Sequence, residues 1–253
     1  MAKYIYRLVP KTALVTGSSR RIGKAIAIAL ASKGWNIAVH YDNSADEAKA
    51  TVHNLRTFGV KAEPIRANLA DTSQLKTLIL QCEIALGPVG LLVNNASTFE
   101  QDSLATVTRA SWDWHMTPNL WAPIFLMQDF AARLPKKNEG VIVNIIDQKV
   151  WNLNDKFLSY TLSKLGLWGA TRILALELAP RIRVNGIGPG PILPSIHQDK
   201  EDFDRQSKAT PLQHNASPEE IAEAVIFLVG AHSITGQMIA VDSGQHLACY
   251  SYE

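Results

Sequence analysis

The stretch TALVTGSSRRIG, Thr12 to Gly23, reads as a short apolar strand, Thr12 to Thr16, that turns through glycine and small hydroxyl residues directly into a helix. In an open parallel sheet this first strand-to-helix turn is where a dinucleotide pyrophosphate meets backbone N–H groups and the positive end of the helix dipole. Gly17 permits the tight exit from the strand, Ser18 and Ser19 offer hydroxyls, and Gly23 lets the helix approach the sheet. A glycine-rich turn after a strand is often only a turn, so the surrounding pattern has to decide its meaning.

That pattern is an alternation. A helix from about Arg21 to Lys33 precedes a strand Asn36 to Tyr41. Helix-like Ala45 to Phe58 leads to strand-like Ala62 to Ala67, and helix-like Thr72 to Ala85 leads to Leu91 to Asn94. A long helical region, roughly Ser111 to Arg133, is followed by Val141 to Ile146, a helix Leu158 to Ala179, a strand Arg183 to Asn185, a helix Pro218 to Val229 and a last strand Met238 to Val241. Strands rich in Val, Ile and Leu with little polar alternation are covered on both faces, and helical crossovers of this length impose parallel pairing. The expectation is an α/β protein with a doubly wound, Rossmann-type parallel sheet, residues 1–253 forming a single domain. Between Gly186 and Pro218 the prolines Pro189, Pro191, Pro194, Pro211 and Pro218 break periodicity, which marks 186–218 as a substrate-binding loop.

Composition excludes other classes. The chain has 253 residues, 47% hydrophobic and 19% charged, enough for a sizeable core and incompatible with disorder. A formal charge of +2, with no basic run longer than Arg20-Arg21 or Lys136-Lys137, argues against a nucleic-acid partner. Cys82 and Cys249 fit no metal-ligand spacing and are too few for a disulfide framework, although one bridge between them stays open. No apolar run approaches the ~18 residues of a membrane helix, and Met1 to Pro10 is too polar for a signal core, so a cytoplasmic protein with no membrane partner is expected.

The end of the second strand discriminates between nicotinamide cofactors, because an acid there accepts the ribose 2′-hydroxyl and repels a 2′-phosphate. Here it reads Val39-His40-Tyr41, then Asp42-Asn43-Ser44, and the acid position falls on Tyr41. Arg21 can meet a 2′-phosphate with its guanidinium, which favours NADPH; a register shift of one residue would instead bring Asp42 to the ribose. Further along, Tyr160-Thr161-Leu162-Ser163-Lys164 puts a phenol and an ammonium at i, i+4 on one helix face, where the cation is expected to lower the phenol pKa toward useful acid–base range.

Taken together, the TGSSRRIG turn, Asn94-Asn95-Ala96, Asn119, Tyr160 with Lys164, Pro189-Gly190 and Val241-Asp242 resemble the short-chain dehydrogenase/reductase family over nearly the whole chain. The resemblance implies that Gly17, Arg21, Ile22, Gly23, His40, Tyr41, Asn43, Ser44, Asn68, Leu69, Asn95, Ala96, Ser97, Tyr160, Lys164, Pro189, Gly190 and Ile192 bind the cofactor. It also implies that Tyr160 and Lys164 are catalytic, and that Asn119 holds a water linking Lys164 to solvent.

Departures narrow the reading. Thirteen residues before the tyrosine, where the family has a serine that donates to a substrate carbonyl, stands Asp147. A carboxylate cannot donate to a ketone oxygen and repels developing alkoxide, whereas it can pair with the N–H edge of a heterocycle. Ser159 or Ser163 is the alternative bearer of the serine's role. Arg21 in place of the middle glycine, Asn95-Ala96-Ser97 followed by Phe99, and Asp147 together resemble the pteridine reductase and dihydromonapterin reductase subgroup. That resemblance implies a substrate site of Arg21, Ser97, Phe99, Asp147 and Tyr160, with Phe99 stacked on a flat pterin. The expectation is an NADPH-dependent reductase of a pterin-like C=N bond. A carbonyl or 3-oxoacyl reductase is the alternative of the same fold, and a non-catalytic nucleotide sensor the alternative of another class. The helix after Tyr160 is apolar around most of its circumference, and with the resemblance this suggests a homodimer or homotetramer.

Overall fold

In the computed structural model, which describes residues 8–192 and 200–248, the alternating pattern becomes one parallel sheet. Its strands are β1 Thr12–Val15, β2 Asn36–Tyr41, β3 Ala62–Arg66, β4 Leu91–Asn94, β5 Gly140–Ile145, β6 Ile182–Pro189 and β7 Met238–Val241. They lie in the order β3-β2-β1-β4-β5-β6-β7. Every pairing is parallel, with Val15 opposite Val39 on one side of β1 and Val93 on the other. The order reverses between β1 and β4, so a crevice opens beyond their carboxyl ends.

Period-two placement of apolar side chains divides the core between two faces. Ala13, Val15, Leu91, Val93, Val141 and Val143 pack under α1 Arg21–Ser32, α2 Ala45–Arg56 and the late helix Pro218–Gly230; Leu14, Leu92 and Ile142 pack on the other face with Leu78, Leu126 and Phe130. Both faces are dry, which is why these strands carry no polar alternation.

Several helices differ from the sequence expectation. The Thr72 to Ala85 segment divides into α3 Thr72–Leu75 and α4 Leu78–Leu86. The expected long helix is α5 Arg109–Met116, a π-helical turn Thr117–Trp121, and α6 Ala122–Arg133. Pro118 causes the break: it has no N–H for the Trp114 carbonyl four residues earlier, and the Thr98 hydroxyl donates to that carbonyl instead, at 2.6 Å. Within the expected loop 186–218, β6 continues to Pro189, a helix α8 Lys200–Lys208 follows, and α9 Pro218–Gly230 closes it; residues 193–199 lie outside the described part, as does Cys249. The start of α9 is fixed by a capping box between Ser217 and Glu220 with Pro218 in the first turn.

Helix α7, Leu158–Glu177, runs from the reacting tyrosine along β6. Leu162, Ile173 and Leu176 on it are exposed, and a side chain at Gly169 would meet nothing. At 100° per residue these positions form one stripe. Ile124 and Phe125 of α6 are exposed as well. No helix among the described residues is long and apolar enough to cross a membrane.

Candidate active site

The glycine turn is held from three sides. Thr16 Oγ1 accepts from the N–H groups of both Asn95 and Ala96, each at 2.9 Å, so the ends of β1 and β4 share one hydroxyl. Asn95 returns its side-chain amide to Thr16 O at 2.8 Å. The third brace is His40, whose Nδ1 accepts from Gly17 N–H at 2.9 Å; the ring proton is thereby on Nε2 and donates to Ala67 O at 3.0 Å. Burial pushes this imidazole down to about 4, so it stays neutral. His40 was expected to touch the cofactor; with both ring nitrogens engaged and only 2% of its surface exposed, it supports the turn from behind.

Gly17 has φ +64, and a Cβ on Gly23 would stand 2.4 Å from Gly17 O, so both glycines are required. Arg21 keeps the left-handed backbone of the glycine it replaces, at φ +53; Ser243, at φ +55, is left-handed too. Such a conformation costs a side-chain-bearing residue about 1 kcal/mol or more. Helix α1 begins here with no side-chain cap and no acid in its first turn, which leaves its N–H groups and dipole to a phosphate. Ser44 Oγ is 2.7 Å from Ser19 Oγ, Asn43 and Asn68 are exposed beside the crevice, and β2 ends at Tyr41 as read. Asp42 turns its carboxylate to the Asn43 amide. Ile22 and Tyr41 pack against the first core cluster, Ile192 lies within it, and Leu69 lies in the second. Gly190 N–H donates to Val241 O at 3.0 Å, and a Cβ on it would stand 2.7 Å from Asp242 Cα, which fixes the exit after Pro189.

On the other side of the crevice, Tyr160 donates its phenol proton to Asp147 Oδ2 at 2.6 Å, and Asp147 Oδ1 accepts from Lys149 N–H at 2.8 Å. Lys164 Nζ donates to Ile145 O at 2.9 Å and stands 5.7 Å from the Tyr160 ring centroid. The pKa expectation for Tyr160 is corrected: burial, and next the Asp147 carboxylate, raise the phenol well above its ordinary value. Asp147 is in contact with the hydroxyl, while Lys164 is anchored on a backbone carbonyl, its own pKa brought by burial to about 8. Tyr160 is therefore a protonated donor. Ser159 and Ser163 do not share that position. Both are fully buried: Ser159 bonds to Asp102, and Ser163 donates to Tyr160 O at 2.6 Å.

Asn119 is buried in the π-helical turn, with Oδ1 accepting from Thr98 N–H at 2.9 Å and Ser97 Oγ at 3.0 Å, and Nδ2 donating to Thr98 O and Ser163 Oγ. Its side chain is thus occupied in pinning the 97–98 loop to α7. Pro123, four residues on, has no N–H to give the Asn119 backbone carbonyl an α-helical hydrogen bond.

Sequence reasoning missed what stands behind the tyrosine. Glu100 N–H donates to His115 Nε2 at 2.9 Å, so His115 Nδ1–H donates to Ser159 Oγ at 2.7 Å, and Ser159 donates to Asp102 Oδ2 at 2.5 Å. Burial lowers the His115 pKa and keeps the ring neutral. Phe99 stacks on Phe157 with centroids 4.6 Å apart and meets Tyr160 edge-on at 4.7 Å, so one face of the expected stacking residue is already covered. None of these contacts has a local sequence signal, since Asp102 and Ser159 are 57 positions apart.

A doubly wound sheet with a glycine turn at the switch point and a Tyr–Lys pair across the crevice defines a nucleotide-dependent oxidoreductase. The chain belongs to the short-chain dehydrogenase/reductase family: residues 17–246 match the model described as enoyl-(acyl carrier protein) reductase. It is 34% identical over 242 residues to the 3-oxoacyl-[acyl-carrier-protein] reductase FabG of Staphylococcus epidermidis, covering 94% of this chain and 99% of that protein. Among solved structures, FolM alternative dihydrofolate reductase 1 from Brucella suis, in complex with NADP, superposes with a TM-score of 0.93 at 46% identity, covering 97% of this chain and 99% of that one. A blue fluorescent protein from a metagenomic library, in complex with NADPH, gives 0.87 at 35% identity, covering 96% and 100%.

Proposed function

We propose that this protein is an NADPH-dependent reductase of a pterin-like C=N bond. The observation that carries the reading is the 2.6 Å hydrogen bond from Tyr160 to Asp147 at the position where a ketone reductase has a serine. The uncapped start of α1, the strained Arg21 and the close Gly17–Gly23 approach fit a phosphate-bearing dinucleotide, and the absence of an acid at Tyr41 fits one with a 2′-phosphate. The likeness to a FolM structure at 46% identity supports the pterin class over the 3-oxoacyl class, met at 34%.

Bound NADPH supplies the hydride from nicotinamide C4. The chain supplies orientation and the proton. Asp147 accepts N–H groups from the edge of the heterocycle and holds the phenol; Tyr160, kept protonated, is the acid that places a proton on the substrate nitrogen; Lys164 holds the ribose and, linked to solvent by a water at Asn119, relays the proton that restores Tyr160. The stripe on α7 and the exposed apolar residues of α6 are the surfaces on which the protein assembles into a dimer or tetramer.

The test is NADPH oxidation at 340 nm with a dihydropterin, dihydrofolate, a quinonoid dihydropterin and a 3-oxoacyl thioester. Turnover of the pterin class is expected. Fast ketone reduction with no pterin turnover would establish the 3-oxoacyl reading, and calorimetric binding of NADPH with no oxidation by any substrate would establish a sensor.

A further inference from the structure

Lys149 has no assigned role, and its surroundings are unusual for a lysine. It sits on the short 3-10 turn Gln148–Val150 that Asp147 caps, so its backbone is tied to the same carboxylate that accepts the Tyr160 hydrogen bond. Its Nζ lies over two rings, 5.3 Å from the Phe157 centroid and 6.0 Å from that of Phe99. Phe99 in turn meets Tyr160 edge-on. The side chain is partly buried, yet among the described residues its ammonium has no carboxylate partner. The adjacent acid, Asp147, has one oxygen on the Lys149 N–H and the other on the phenol. Ring faces attract an ammonium placed over them, and leave it free to pair with an anion. The arrangement holds a positive charge at the Phe99–Phe157 pair, beside the ring that meets Tyr160 edge-on.

We infer that Lys149 reads a negative charge on the substrate, so that the preferred substrate is a pterin carrying an anionic tail, a carboxylate or a phosphate monoester, over a neutral one. This rests on the pterin reading and deepens it. The tail would pair with the Lys149 ammonium, while the fused ring system, held by Asp147, is common to charged and neutral pterins.

The experiment compares wild type, Lys149→Met and Lys149→Arg on dihydrofolate, on the phosphate monoester of dihydroneopterin and on neutral dihydrobiopterin. Steady-state KM and kcat are measured together with calorimetric binding of each pterin to the NADP-saturated protein. Lys149→Met is expected to raise KM and Kd for the charged substrate about tenfold relative to those of dihydrobiopterin, with kcat moving less than KM, and Lys149→Arg to restore most of the loss. The substrate that shows the rise identifies its anion as carboxylate or phosphate. An equal change for charged and neutral pterins, or none, overturns the inference while leaving the pterin reading standing. A wild-type protein that neither binds nor reduces any of the three overturns both.

Discussion

Acidification should loosen this protein through one buried imidazole. His40 is neutral in the fold because its Nδ1 accepts from Gly17 N–H and burial holds its pKa near 4, whereas in the unfolded chain it titrates near 6.5. Between those values the unfolded state binds a proton that the folded state refuses, so stability falls as pH drops from about 6.5 to about 4. At roughly 1.4 kcal/mol per pH unit the loss approaches about 3 kcal/mol, a large part of the ~5–15 kcal/mol typical of a whole domain. Below pH 4 the folded imidazole also charges, and the His40 contribution levels off. His115, held below its ordinary value by burial, adds to the same slope, so the measurement must be a difference. Urea unfolding at fixed protein concentration, from pH 7.5 to 4.5, should give a shallower pH dependence for His40→Asn than for wild type. Identical slopes, or a His40 resonance that titrates near 6.5 in the folded protein, would refute the reasoning.

Tyr160→Phe should lower kcat by about 100-fold or more while calorimetric NADPH affinity changes much less, since it removes the acid and leaves the phosphate-binding turn and Lys164 in place. Asp147→Ser should depress dihydropterin turnover by a similar factor, and an unchanged rate would remove Asp147 from the chemistry. Gly23→Ala should abolish NADPH binding measured by fluorescence titration, because the new Cβ meets Gly17 O at 2.4 Å. Leu176→Glu, placed in the exposed apolar stripe of α7, should shift the size-exclusion peak to the 27.8 kDa monomer with folding intact by circular dichroism.

Where the sequence carried local chemistry, it was legible. Strands β2, β4 and β7 fall where their β-branched and apolar runs begin and end. Asp147 was found at a fixed spacing from Tyr160, and the structure brings the two into hydrogen-bond contact. The break at Lys76 and Thr77 carries no glycine or proline and could not be read; α8, with charges at most positions and Phe203 as its only large apolar residue, has no face to recognise. The role of His40 was misread because its partners, Gly17 and Ala67, belong to other loops. The direction of the Tyr160 shift was misread for a related reason: burial is set by everything packed around the ring, and spacing along one helix reports only Lys164.

The π-helical turn has a consequence for how this enzyme can change. Such a turn is one residue more than an α-helix would hold, so it sets α5 and α6 about 100° out of phase. Ahead of it and within it, His115 and Asn119 are four apart and meet Ser159 and Ser163, also four apart, like matched rungs. Beyond it, Leu126 and Phe130 point at the sheet. Losing a single codon between Thr117 and Trp121 would rotate the core-facing half against the loop-facing half, whereas a loop elsewhere absorbs such a loss. Length at this site is therefore constrained more tightly than residue identity.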